Sequence, residues 1–75
     1  MFMDVIPQRF WNDDRWAKEH YVELVERYPE KWVAVVNGEV VSVGDGPSDV
    51  REEARRKTGE RHIAVMFIEG GLNLY

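Results

Sequence analysis

The chain has 75 residues, ten Lys and Arg against fourteen Asp and Glu, a formal charge of −4 and no cysteine. The acidic balance weighs against general nucleic-acid binding, which rests on phosphate neutralisation, and the missing thiols exclude disulfides and thiolate metal sites. A chain this short makes one domain with a modest core that usually needs a staple, and oligomerisation is the staple left open.

The segment Met1-Phe2-Met3-Asp4-Val5-Ile6-Pro7 reads as too short and too acidic for a signal peptide. No apolar run approaches the roughly 18 residues of a membrane span. The absence of cysteine fits a reducing compartment, and the expectation is a cytoplasmic protein without membrane contact.

Residues 1–11, in which Phe2, Val5, Ile6, Phe10 and Trp11 surround Pro7, read as an aromatic N-terminal arm or a short edge strand. Such an arm is expected to be covered, because leaving it in water forgoes burial of about 25 cal/mol per Å². An α/β domain follows over 12–69, and 70–75 form a C-terminal tail whose Leu72-Asn73-Leu74-Tyr75 is able to extend a sheet or pack on a partner. The spacing predicts a first helix over 13–28. Asn12 or Asp13 caps it, and Asp13 and Asp14 suit its positive end. Ala17, Tyr21, Leu24, Val25 and Tyr28 make its apolar stripe. Arg15–Glu19 and Glu23–Arg27 are i,i+4 pairs on its wet side. Pro29 stops it.

Next come two β-branched runs, about 32–36 and 39–43, around Asn37-Gly38. That pair tolerates the positive φ angles of a two-residue type I′ turn and is a strong hairpin signal. Gly44-Asp45-Gly46-Pro47-Ser48 is a turn. A second helix over 48–58 has Ser48 or Asp49 as cap, Asp49 and Glu52 at capping-box spacing, and Glu52–Arg56 and Glu53–Lys57 as side-chain pairs. Gly59 suits its C-terminal end. A third strand spans about 62–68 and stops at Gly70-Gly71.

The fold expected is α+β, in the order α-β-β-α-β. The crossover through the second helix sets strands two and three parallel to each other. Strand one, the most apolar, takes the centre. That gives a three-stranded, mostly antiparallel sheet ordered 2-1-3, with both helices placed on one face, the Trp32/Ala34 face.

Tyr28-Pro29-Glu30-Lys31-Trp32-Val33-Ala34, a Gly-containing turn, a valine-rich return strand and a Gly44-Asp45 turn into a helix resemble a family of small prokaryotic proteins known only as a domain of unknown function. The resemblance covers about residues 20–68. It implies no assigned activity, and no catalytic residue is carried over from it.

The side chains give little chemistry. His20 and Glu23 stand at i, i+3 and His62 opens the third strand, without the ligand density of a zinc site. Ser42 sits mid-strand and Ser48 suits a cap, and neither lies in a nucleophile elbow. Asp13-Asp14 and Glu52-Glu53 are neighbours that diverge by about 100° on a helix. Gly44–Ser48 lacks the Gly-Lys-Ser/Thr of a phosphate loop, and Asp45 and Asp49 would repel a phosphate. No catalytic site, metal or cofactor is expected.

Pairing across the turn sets Val35 against Val40 and Val33 against Ser42. Val33, Val35, Val40 and Ser42 therefore form one hairpin face, left bare by the helices and read as an interaction surface. The N-terminal arm is the alternative cover for it. The function read is a non-catalytic protein–protein interaction or accessory module that forms a homodimer or docks on another protein. The competing reading is a nucleic-acid-binding module using Arg51, Arg55 and Arg61, which lack an i,i+4 glutamate, with Trp11, Trp16 and Trp32 as stacking platforms.

Overall fold

A computed structural model describes residues 5–70. Six elements follow one another: α1 (Gln8–Glu19), α2 (Tyr21–Arg27), β1 (Lys31–Val35), β2 (Val40–Gly44), α3 (Pro47–Thr58) and β3 (Ala64–Ile68). The sheet order is β2-β1-β3, with β1 antiparallel to both neighbours. The α+β class, the strand order and the strand directions agree with the sequence reading. The helices differ from it in number, start and placement.

The first helix begins earlier than expected. Pro7, at φ −67° and ψ 153°, precedes its first turn, and no acidic residue lies in that turn. A proline there sacrifices no amide that a helix would use. Residues 8–11, read as part of an arm, are therefore helical, and Phe10 and Trp11 meet edge to face with centroids 5.1 Å apart. Residues 1–4 of the arm and 71–75 of the tail lie outside the described residues.

The helix also breaks at His20, where φ is −105° and ψ is 20°. The His20 backbone N–H donates to the Trp16 carbonyl at 2.9 Å, and its Nδ1 lies 2.8 Å from the same oxygen. The imidazole stacks on the Trp16 indole at 4.3 Å. A ring folded back on its own helix competes with regular continuation, and α2 starts anew at Tyr21. Of the side-chain pairs expected on the helices, Glu53–Lys57 forms at 3.5 Å, while Arg15 turns to Asn12 Oδ1.

The hairpin turn is as read. Asn37 and Gly38 have φ of 56° and 71°, and Val36 N–H donates to the Glu39 carbonyl at 2.9 Å. Val35 pairs with Val40, but the register then shifts, and Ala34 pairs with Ser42 rather than with Val41. Val41 is the extra residue of a β-bulge. The bulge carries Ser42 to the face of Ala34, away from Val33.

Helix α3 starts at Pro47 after Gly46 without a side-chain cap, so neither Ser48 nor Asp49 plays that part. Gly59 ends it in the left-handed region at φ 76°, where a glycine carries no Cβ penalty.

The helices cover both faces of the sheet. On one side Ala17 of α1 and Leu24 of α2 pack with Val33, Val35 and Ile68, flanked by Trp16, Tyr21, Val25, Tyr28, Val40 and Met66. On the other, Val50 and Ala54 of α3 pack with Ala34, Val36 and Ile63, flanked by Trp32, Val41 and Val65. The placement of both helices on one face is thus corrected. Both hairpin faces are apolar, so each needs a cover; α3 takes the Trp32/Ala34 face and α1–α2 the other.

Candidate protein-interaction site

The face proposed from sequence as an interaction surface is mostly interior. Val33 and Val35 are both 0% exposed under α1 and α2, and Val40 packs at the border of that cluster. Ser42 is buried on the opposite face, where its hydroxyl donates to Glu53 Oε1. That hydrogen bond, and then the nearby Lys57 charge, hold the Glu53 carboxyl below the usual carboxylate range. The four residues are split between two layers, because the bulge moves Ser42 and α1–α2 cover the valines.

Arg51, Arg55 and Arg61 are all exposed, the first two on α3 and the third beyond Gly59. Glu52 and Glu53 interleave with them along α3. The ring pairs Phe10–Trp11, Trp16–His20 and Trp32–Phe67 belong to other elements. Among the described residues no three His, Cys, Asp or Glu side chains gather as a metal site, and no helix is long and apolar enough to cross a membrane.

The most constrained polar group is one that the sequence reading assigned to a helix cap. Asp13 lies in the middle of α1 and is buried. Its Oδ2 accepts from Arg9 Nη1 at 2.8 Å and from the Asn37 N–H at 3.1 Å, and its Oδ1 accepts from the Gly38 N–H at 2.9 Å. Arg9 also donates to the His62 carbonyl and lies 3.4 Å from Glu60 Oε1. One carboxylate thus ties α1 to the hairpin tip, and its arginine ties the same turn of helix to the approach of β3. Shallow clefts of about 320 and 430 Å³ flank this clamp, sharing Trp16 and Gly38 in their walls. With both oxygens engaged, Asp13 holds the Arg9 guanidinium and the Asn37 and Gly38 backbone in place. The available signal was periodicity: Asp13 stands four residues before Ala17, on the stripe that α1 buries.

Among the described residues, β2 and β3 are the two outer strands of the sheet, and their edges differ. Along β2 the strand is bulged, Lys57 Nζ donates to the Val41 carbonyl at 3.0 Å, and Lys31–Asp45 pair at 2.7 Å at its end. A bulge and a lysine are common protections of an edge. Strand β3 reads Ala-Val-Met-Phe-Ile, with no charge, proline or bulge. Beside it, Phe67 is 37% exposed and its ring lies 5.3 Å from that of Trp32. The Tyr21 hydroxyl accepts from Glu69 N–H, and Arg9 takes the His62 carbonyl. Both contacts fall just outside the strand. Helix α3 leans toward β2 and β1, which leaves the Val65/Phe67 side of β3 less covered.

A family model described as a family of unknown function, DUF5678, matches residues 23–71, and the chain belongs to that family. Helix α1 precedes the matched stretch. No curated protein and no solved structure matches the chain.

Proposed function

We propose that this DUF5678 protein is a non-catalytic protein-interaction module that receives an extended segment of another chain at the β3 edge. The observation that carries this reading is the contrast between the two edges. β2 is bulged and bonded by a lysine, whereas β3 is plain, uncharged and bordered by the half-open Trp32–Phe67 pair. Strand addition takes affinity from main-chain hydrogen bonds and selectivity from side chains on alternate positions. The Trp32–Phe67 shelf would supply the apolar contact on the α3 side. The full engagement of the Asp13 carboxylate by backbone and arginine supports the non-catalytic part.

The test is a backbone-amide NMR titration with a short synthetic peptide alternating threonine and valine, and separately with a single-stranded oligonucleotide. The expected result is peptide-induced shifts over residues 64–68 and at the Trp32 indole, lost in Phe67→Glu. Silence at β3 with peptide up to millimolar concentration overturns the reading. So do shifts centred on Arg51, Arg55 and Arg61 with the oligonucleotide, which would favour a nucleic-acid partner instead.

A further inference from the structure

We infer that the occupant of the β3 edge is a second copy of this chain, paired antiparallel about a two-fold axis at Met66; this rests on the strand-addition reading above. Two like edges join antiparallel through a two-fold axis perpendicular to the sheet, the isologous arrangement of a symmetric dimer. That axis keeps each side chain on its own face. Opposed residues in a sheet share a face, so the axis must pass beside a residue that meets its own copy, never between two residues. Within Ala64–Ile68, centring on Met66 engages all five residues. Ala64 then meets the second copy's Ile68, Val65 meets its Phe67, and Met66 meets Met66.

Each resulting pair is apolar on apolar. Val65 and Phe67 lie on the same sheet face as Trp32 and Ala34, since Trp32 pairs with Phe67 and Ala34 with Val65. Two copies therefore extend the Trp32–Phe67 shelf into one apolar strip across the joint. Charge agrees with the antiparallel sense. Arg61 precedes β3, next to a Glu60 that Arg9 engages at 3.4 Å, and Glu69 follows it. Antiparallel pairing brings the acidic end of each strand toward the basic end of the other, whereas parallel pairing sets Glu69 beside Glu69. The β2 edge offers no equivalent, because its bulge breaks the register that a second strand would follow.

The contact is small. Five residues extend about 17 Å, and with the Trp32–Phe67 shelf the area stays below the roughly 800 Å² per partner of a standard interface. The dimer is therefore expected to be reversible and concentration-dependent, and is sought from micromolar to millimolar chain.

Sedimentation equilibrium across that concentration range is the first measurement, with Phe67→Glu as the disrupting variant at a partly exposed position. The register is read by disulfide formation, which the absence of native cysteine leaves unobstructed. Opposed strand residues have Cα atoms about 4.5–5.5 Å apart, within the span of a disulfide. Met66→Cys should cross-link to itself in air. Val65→Cys alone should not, but a mixture of Val65→Cys and Phe67→Cys chains should give the mixed dimer. The mixed pair reads the register even if Met66→Cys, which is half-buried, fails to fold. A wild type that stays monomeric at millimolar concentration overturns the second-copy inference. So does a Val65→Cys self cross-link that outpaces the mixed one. If that monomer still shows peptide shifts over 64–68, strand addition stands and only the occupant was wrong. If it shows none, both fall.

Discussion

Asp13 is 2% exposed and accepts from a guanidinium and two backbone amides at the hairpin tip. Removing one partner of a buried charged pair leaves the other desolvated and unpaired, which is the expensive way to lose it. Asp13→Ala is expected to cost about 3 kcal/mol, and Asp13→Asn about half of that, because the amide keeps one acceptor oxygen. Urea denaturation measures both, and an alanine variant within about 1 kcal/mol of wild type would show that water replaces the clamp. Glu53 is a second residue-scale case. Its pKa lies below the ordinary value because Ser42 donates to it and Lys57 is close. A lowered folded-state pKa adds stability that is present above the unfolded value and lost as pH falls through the folded one. Ser42→Ala should raise the Glu53 pKa toward the ordinary range and flatten the acid limb of the stability profile. A side-chain carboxyl NMR titration follows this directly; an unmoved Glu53 would assign its shift to the Lys57 and Arg56 charges.

At the scale of elements, the hairpin was legible because two adjacent residues had to adopt positive φ, and Asn-Gly is the pair that does so most readily. A Cβ built on Gly38 would meet the Trp16 indole at 3.6 Å, an ordinary contact, so φ of +71° rather than crowding governs substitution there. Gly38→Val is expected to lose about 2 kcal/mol, and Gly38→Asn less than about 1, since asparagine tolerates this region and a β-branched residue does not. Equal thermal midpoints for the two variants would refute that ordering. The bulge was not legible. Val40, Val41 and Val43 are interchangeable by pattern, and the choice of Val41 as the extra residue depends on Val41 and Ser42 both facing α3. The helix start was missed for a related reason. Gln8 to Trp11 hold no cap signal, whereas Asn12 and Asp13 look like one, and Asp13 is instead held inward by a turn twenty-four residues away in sequence.

For the whole molecule, strand order followed from the central strand being the most apolar, but face coverage did not follow from pattern. Val33, Val35, Ala34 and Val36 are all buried, and alternating burial cannot say which helix covers which side when neither side is polar. The covered face explains why α1 matters although it precedes the stretch matched to the family, residues 23–71. α1 supplies Ala17 and Trp16 to the layer over Val33 and Val35, and Asp13 to the hairpin amides. A single core in so short a chain yields about 3–5 kcal/mol of net stability. Losing the clamp alone is expected to take about 3 kcal/mol of it, and uncovering two valines takes about 1.5 kcal/mol or more for each side chain fully exposed. The sum meets or exceeds the total. A chain starting at His20 is therefore expected to lose cooperative thermal unfolding, to bind the apolar dye ANS, and to aggregate through the uncovered valine face. The full chain should show a single sharp transition and little dye binding. If the truncated chain melts cooperatively within about 5 °C of the full one, a difference worth about 1 kcal/mol in a domain of this size, then the matched stretch closes its own core and α1 is an addition to it.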